Sequence, residues 1–99
     1  MDLETFRASL AASAPPEAAS PAIAALWWVG RGDWDRAHEC AQSDDGREAA
    51  AAHAYLHRLE GDLSNARYWY ARAGRAPPSG SLDAEWEALA QEFLTQPSA

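Results

Sequence analysis

The sequence predicts an all-α fold of antiparallel helix-turn-helix repeats, with about five helices in one domain, residues 1–99. Three observations support this fold class. A short pattern occurs twice, 29 residues apart, once over residues 32–37 (GDWDRA) and again over residues 61–66 (GDLSNA). Ala-rich apolar segments precede and follow each copy, and alanine favours helix. A length of 99 residues suits one domain, in which stacked helix pairs bury faces that one pair alone leaves exposed.

The N-terminal element is predicted to be a capping helix over residues 3–13. Apolar residues recur at helical spacing between Leu3 and Leu10. Asp2 precedes them, where its carboxylate can accept a hydrogen bond from a backbone N–H of the first helical turn. The prolines Pro15-Pro16 end the segment. We expect this helix to cover the first repeat unit.

The first repeat unit is predicted over residues 18–45. Ser20 offers an N-cap, and Pro21 occupies a first helical position, where the missing backbone N–H breaks no hydrogen bond. The helix that begins there is expected to end near Gly30. Its partner helix is expected from Trp34 to about residue 42.

The second repeat unit is predicted over residues 47–78. Strong helix formers continue without a breaker over residues 47–59, and a second helix is expected over residues 64–74. Asp45, followed three residues later by Glu48, fits a capping box at the start of the unit.

A C-terminal capping helix is predicted over residues 81–96. Ser81 can cap it, and Glu85 lies in its first turn, where a carboxylate interacts favourably with the helix dipole. Its apolar stripe consists of Leu82, Trp86, Leu89 and Phe93. We expect this stripe to dock against Trp69 and Tyr70 of the second unit.

Small residues and one aromatic residue stand at fixed positions of the second unit, namely Ala54, Gly61-Asp62, Ala66, Tyr70, Ala73 and Pro78. With these residues, the second unit resembles a tetratricopeptide repeat and the related Sel1-like repeat. The resemblance implies two antiparallel helices that approach closely at the small residues, while the aromatic side chain fills the gap at their crossing. The first unit is a degenerate match, and it fits at Ala25, Gly32-Asp33 and Ala37. Ala41 and Asp44 stand where the family places an aromatic residue and alanine.

The resemblance also implies a partner-binding groove on the concave face that the first helix of each pair presents. Carried over by register, this groove consists of Leu26, Val29, Ala51, Tyr55 and Arg58. An apolar floor beside an arginine suits an extended or helical peptide with an acidic group. The predicted function is therefore a small protein–protein interaction module of unidentified pathway. Its expected partner is another protein, a peptide or a second copy of the chain.

His53 and His57 lie four residues apart on one helical face, with Glu60 one turn further on. This spacing can offer two ligands to zinc, so the alternative function is a small-molecule or metal-binding protein that uses this face. Arg58 and Arg67 are the neighbouring basic residues of such a site. In the repeat register these imidazoles face the partner helix, and a structural role with hydrogen bonds to Tyr70 or a nearby carboxylate is favoured. No metal and no cofactor is therefore predicted.

The remaining features argue against catalysis and against nucleic-acid or membrane partners. A formal net charge of −7 lacks the concentrated basic surface that phosphate backbones require. No apolar run reaches the roughly 18 residues of a membrane-spanning helix. No nucleophile triad, phosphate-binding glycine loop or pair of catalytic carboxylates is recognisable, so the protein is predicted not to be an enzyme. The single Cys40 and a start without the order of an export signal favour the cytoplasm.

Overall fold

Six α-helices make up the part of the chain that the computed structural model describes, residues 1–95, and this part contains no strand. The helices are α1 (Leu3–Ser9), α2 (Pro21–Gly30), α3 (Trp34–Gln42), α4 (Arg47–Leu59), α5 (Leu63–Ala73) and α6 (Leu82–Thr95). The all-α prediction is confirmed, with one helix more than the expected number. Gln96, the predicted end of the C-terminal helix, lies outside the described residues. None of the six helices is both long enough and apolar enough to cross a membrane.

Helix α1 is shorter than predicted, because it ends at Ser9 rather than near residue 13. The Ser9 hydroxyl donates a hydrogen bond to a backbone carbonyl one turn earlier (2.6 Å). The backbone N–H groups that follow donate three residues back, as in a 3₁₀ turn, so the α-helix does not continue. The predicted N-caps Asp2, Ser20 and Ser81 are confirmed, since each side chain accepts a hydrogen bond from the backbone N–H three residues further on.

The two copies of the repeated pattern form the same turn. Gly32 (φ 82°) and Gly61 (φ 87°) adopt the left-handed backbone conformation, which glycine reaches without the steric strain of a Cβ atom. Each is followed by an aspartate whose carboxylate accepts a hydrogen bond from a backbone N–H of the next helix, Asp33 at 3.1 Å and Asp62 at 3.3 Å. One dipeptide therefore ends a helix and starts the following one.

The predicted capping box of Asp45 and Glu48 is wrong. The N-cap of α4 is Gly46, and no side chain within residues 1–95 caps this helix. The preceding carboxylate, Asp44, instead accepts a hydrogen bond from the backbone N–H of Gly46 at 2.9 Å. The hydrogen bond thus lies within the loop that precedes α4. It does not reach a backbone N–H of the first helical turn, which has no capping side chain within residues 1–95.

The two helices of each predicted unit pack directly against each other, α2 on α3 and α4 on α5. The small residues expected at these contacts are all buried, with at most 2% of their surface exposed: Ala25, Ala37, Ala54 and Ala66. A methyl side chain allows two helix axes to approach closely. Helix α4 also packs on α2 and α3, so both units contribute to one hydrophobic core.

Helix α6 lies across α2 and α4, and α1 packs on it. The Trp86 indole N–H donates to the backbone carbonyl of Leu26 in α2 (2.9 Å). Phe6 of α1 stacks on Trp86, with ring centroids 5.7 Å apart. The predicted docking of α6 against both Trp69 and Tyr70 is therefore wrong in part. Tyr70 reaches α6 through its hydroxyl, whereas Trp69 stacks on a histidine of α4, because consecutive residues of a helix point in different directions.

The C-terminal end of α1 contacts the first unit, as expected of a capping helix. The Trp27 indole N–H donates to the carbonyl of Ser9 (3.2 Å). The Arg31 guanidinium donates to the carbonyl of Leu10 (2.8 Å). The N-terminal helix thereby connects α2 with α6.

Candidate functional site

The residues of the predicted groove lie on α2 and α4, and α6 lies in this groove. Leu26, Ala51 and Tyr55 are buried, and Val29 and Arg58 are half-buried. Helix α6 packs on both α2 and α4, and one of its indole N–H groups donates to the Leu26 carbonyl. A separate partner can reach the buried part of the groove only after α6 has left it.

A buried carboxylate of α6, Glu85, is held by two side chains of the second unit. Arg58 donates from Nη1 to Oε1 at 2.8 Å, and the Tyr70 hydroxyl donates to Oε2 at 2.5 Å. Arg58 also donates to the carbonyl of Gly80, just before α6. Glu85 is only 7% exposed. Because an unpaired carboxylate in such a position is strongly unfavourable, these bonds determine where α6 sits along the groove.

The same contacts change the acidity of the neighbouring side chains. Burial, together with the hydrogen bond to Glu85 and its negative charge, raises the pKa of Tyr70. Burial, followed by the charges of Glu85 and Asp83, raises the pKa of Tyr55 to about 12. The hydrogen bond to Glu85 raises the pKa of Arg58. All three side chains therefore keep their protons at neutral pH, and Tyr70 and Arg58 act as donors to the carboxylate.

Two further carboxylates of α6 pair with arginines of other segments. Glu87 accepts a hydrogen bond from Arg7 of α1 at 2.9 Å. Glu92 accepts two from Arg75, which follows α5, at 3.2 and 2.7 Å. Residues 77–99 contain four acidic residues and no basic one. Helix α6 is thus an acidic amphipathic helix, and three of its carboxylates meet arginines from three different segments.

An open cleft of about 800 Å³ remains beside α6, between α1, α2 and α4. Val29 and Tyr55 of the predicted groove line it, together with Leu10, Leu59 and Trp86. Charged side chains of α1 and α6 complete its walls. One part of the predicted groove is therefore open to solvent while α6 is docked.

All three histidines of the chain lie in one cluster between α3 and α4. His53 and His57 are on α4, as their spacing indicates, and His38 of α3 joins them. The Nε2 atoms of His38 and His53 are 2.9 Å apart, and one ring nitrogen of each histidine lies within 4.8 Å of the other two. Two indoles flank the imidazoles, since Trp34 stacks on His38 (4.8 Å between centroids) and Trp69 on His53 (3.9 Å).

Burial lowers the pKa of two histidines of this cluster, His53 and His38. His53 is 3% exposed, and its burial, followed by the proximity of His38 and His57, lowers its pKa to about 4. Burial, followed by the charge of His57, lowers the pKa of His38. His57 Nδ1 lies 2.7 Å from Oε1 of Glu60. Nδ1 of His53 is buried and has no hydrogen-bond partner among residues 1–95, so one ring nitrogen of the cluster is left unused.

The predicted hydrogen bond between an imidazole and a nearby carboxylate is confirmed by His57 and Glu60. A bond from the histidines to Tyr70 is not formed, because the Tyr70 hydroxyl donates to α6. Arg58 also binds α6, and Arg67 is exposed. The neighbouring basic residues named for a ligand site therefore do not gather around the imidazoles.

The sequence analysis did not identify the roles of two residues in these sites, His38 and Glu85. His38 lies one turn after Trp34, whose indole N–H donates to a backbone carbonyl of α4 (2.9 Å). Residues four apart lie on the same face of a helix. A burial prediction for the large apolar side chain of Trp34 would therefore have indicated that His38 faces the neighbouring helix as well. Glu85 lies three residues after Leu82 and four before Leu89. It therefore stands within the apolar stripe of α6, and that position already indicates burial.

Comparison of the chain with protein-family models, with curated proteins and with solved structures finds no match. The resemblance to the tetratricopeptide repeat therefore stays a prediction. The structure shows the coarser arrangement of two helix pairs with equivalent turns and two flanking helices.

Proposed function

We propose that this protein is a small helical-repeat interaction module whose groove holds an acidic amphipathic helix. The observation that carries the proposal is the buried contact of Glu85 with Arg58 and Tyr70, which α6 makes within the groove. The equivalent glycine-aspartate turns and the buried alanine contacts support a scaffold of the tetratricopeptide type. In this proposal α6 is the resident ligand of the groove, and the role of the protein is binding rather than catalysis.

The groove and the helix are complementary in polarity and charge. Leu26 and Tyr55 contribute to an apolar floor, and Arg58 presents a guanidinium that forms charge-assisted hydrogen bonds with a carboxylate. On α6, Glu85 and the neighbouring Trp86 are both buried. The same helical face thus offers a carboxylate and a large apolar side chain, which is the pattern that a helix-binding groove recognises.

The intermolecular occupant that we propose is α6 of a second copy of the chain. The segment that joins α5 to α6 contains Pro77-Pro78 and lies outside both helices. The contacts of α6 with the groove are the same whether α6 comes from its own chain or from a neighbour, so the linking segment decides between the two arrangements. Reciprocal exchange gives a symmetric dimer in which both grooves are filled. A different protein with a matching acidic helix would compete for the same surface.

A labelled peptide of residues 81–95 tests this proposal. The receptor in this test is the full-length protein with the substitution Glu85→Ala, which retains Arg58 and Tyr70. Its own α6 is expected to bind the groove more weakly, because removing one partner of a buried charge pair costs about 2–5 kcal/mol of binding free energy. We expect the peptide to bind this variant at least about tenfold more tightly than it binds the unaltered protein. Fluorescence anisotropy titration measures both affinities, and circular dichroism checks that the variant is folded.

Two altered peptides provide the matched comparison. Glu85→Ala and Asp83→Ala each remove one carboxylate from the first turn of α6, but Asp83 is exposed. The Glu85→Ala peptide is expected to lose binding and the Asp83→Ala peptide to retain it. Equal binding of the two altered peptides, or no binding of the unaltered peptide to the variant, contradicts the proposed recognition. If the peptide binds but two differently labelled full-length copies show no energy transfer at high concentration, a second copy is not the occupant.

A further inference from the structure

We propose that His38, His53 and His57 form a binding site for a divalent transition-metal ion such as Zn²⁺. This site is independent of the proposed groove, because it lies between α3 and α4 and does not include Arg58 or Glu85. Every histidine of the chain belongs to it, although His38 is 15 positions away from His53 and on a different helix. The fold therefore concentrates all imidazole ligands of the protein at one place.

The distances between the rings are close to those of a metal site. Two nitrogens bound to zinc at its usual bond length in a tetrahedron lie about 3.3 Å apart. The Nε2 atoms of His38 and His53 are 2.9 Å apart, so an ion would separate them by about 0.4 Å more. One nitrogen of His57 completes a triangle with no side longer than 4.8 Å. The three imidazoles thus lie within the range from which they could bind one ion together.

Glu60 gives His57 the arrangement that metal-binding histidines commonly have. Its Oε1 lies 2.7 Å from Nδ1 of His57, so Nδ1 is occupied as a donor and Nε2 is the nitrogen left for a metal. A carboxylate on the opposite ring nitrogen fixes the tautomer and makes the imidazole a better ligand.

Nε2 is the nitrogen of His53 that would bind the ion. It lies 2.9 Å from Nε2 of His38, whereas the buried Nδ1 on the other side of the ring has no partner among the described residues. The ring is held firmly between the other imidazoles and the Trp69 indole.

The ligand type selects the class of ion. Imidazole nitrogens suit zinc, copper, nickel and iron, whereas calcium and magnesium prefer oxygen ligands. Three protein ligands leave a fourth position for water or another small ligand. A competing set, His57 with Glu60 and Asp62, also brings its ligand atoms within 4.8 Å of one another. That set shares His57 but lacks His38 and His53, and this difference separates the two sites experimentally.

Titration of the metal-free, full-length protein with Zn²⁺ in a calorimeter tests the site. We expect one ion per chain. His38→Gln and His53→Gln are each expected to weaken binding at least about tenfold, which is the smallest effect typical of lost support at a metal site. Asp62→Asn is the matched control, because asparagine caps a helix as well as aspartate does but removes the carboxylate; its affinity is expected to be unchanged. Cys40→Ser is expected to be equally without effect.

Cobalt provides a second readout on the unaltered protein, which decides the question even where a histidine variant fails to fold. Bound Co²⁺ is expected to show the d–d bands of a tetrahedral site with nitrogen and oxygen ligands and no thiolate charge-transfer band. The proposal is overturned if neither Zn²⁺ nor Co²⁺ binds, or if a thiolate band appears and Cys40→Ser removes it. It is also overturned if Asp62→Asn abolishes binding while His38→Gln leaves it intact.

Discussion

His53 and Glu85 are both buried titratable side chains, but the chemical groups that surround them are different. Glu85 has a guanidinium and a hydroxyl as donors, supplied by Arg58 and Tyr70. His53 has two imidazoles and one indole around it, and within residues 1–95 no carboxylate is among the groups that shift its pKa. The first environment holds a carboxylate in place, whereas the second keeps a ring neutral.

We expect the metal-free protein to lose stability as the pH falls from 7 to 5. The pKa of His53 in the folded protein is about 4, below that of an exposed histidine, so the unfolded chain binds protons first and protonation favours unfolding. The contribution of His53 is complete above about pH 6.5 and decreases by about 2 kcal/mol between pH 7 and pH 5. Two other titratable side chains face the His53 ring. They are His38 on α3, whose pKa is also lowered, and His57 on α4, which lies within hydrogen-bond distance of Glu60.

Urea denaturation at the two pH values, with a chelator present, measures this change in the free energy of unfolding. The same measurement on His53→Gln is the control, and we expect a smaller pH dependence in that variant. An equal dependence in both proteins would assign the effect to other titratable groups.

At the scale of the helices, close contact within each pair depends on residues with the smallest side chains. Ala54 and Ala66 are buried where α4 meets α5 and pack with Tyr70 in a small cluster. The glycine-aspartate turns bring the two helices of each pair together. Side-chain volume at these alanines therefore controls how closely the helices approach.

Ala66→Leu is expected to destabilise the protein by about 1–3 kcal/mol, because three additional carbons must be accommodated in a filled contact. Ala71→Leu in the same helix is the control, since Ala71 is exposed, and its effect is expected to stay within about 0.5 kcal/mol. Chemical denaturation followed by circular dichroism compares the two. Similar midpoints for both variants would show that α4 and α5 are not tightly packed at Ala66.

At the scale of the whole molecule, Trp86 connects α6 with the first two helices, which lie at the other end of the chain. It is 9% exposed, stacks with Phe6 of α1 and donates a hydrogen bond to the Leu26 carbonyl of α2. The first and last helices of the chain thereby contact each other, and α6 also contacts α2 and α4. We infer that docked α6 is part of the cooperative fold, so that α6 is separated from α2 and α4 in only a small fraction of the unaltered molecules.

Trp86→Ala is expected to lower the free energy of unfolding by about 3–5 kcal/mol, the range for loss of a buried tryptophan. We expect circular dichroism and the remaining tryptophan fluorescence to report the same transition, as for two-state unfolding. Tyr68→Ala, at a residue that is 53% exposed, is expected to have little effect. An early, partial loss of helix in the Trp86→Ala protein would show instead that α6 separates before the rest unfolds.

The sequence by itself determined the all-α class of this protein and the starts of most of its helices, although it did not show that α1 ends at Ser9. Helix starts followed from Asp2, Ser20 and Ser81, and the two turns followed from the repeated glycine-aspartate pair, because each of these signals acts within about four residues. The prediction of a capping box at Asp45 was wrong, although this signal also acts over a few residues. In the structure the neighbouring carboxylate of Asp44 accepts a hydrogen bond from the backbone N–H of Gly46 instead.

Only the tertiary structure decided which elements meet. It packed α6 against α2 and α4, paired the Tyr70 hydroxyl with Glu85 rather than with a histidine, and brought His38 next to His53 and His57. A periodic pattern identifies the face of a helix that is buried, but the helix it is buried against depends on crossing angles and on the total core that all six helices form together. The polar groups then pair with whichever donors and acceptors that packing brings within reach, since buried polar atoms require partners.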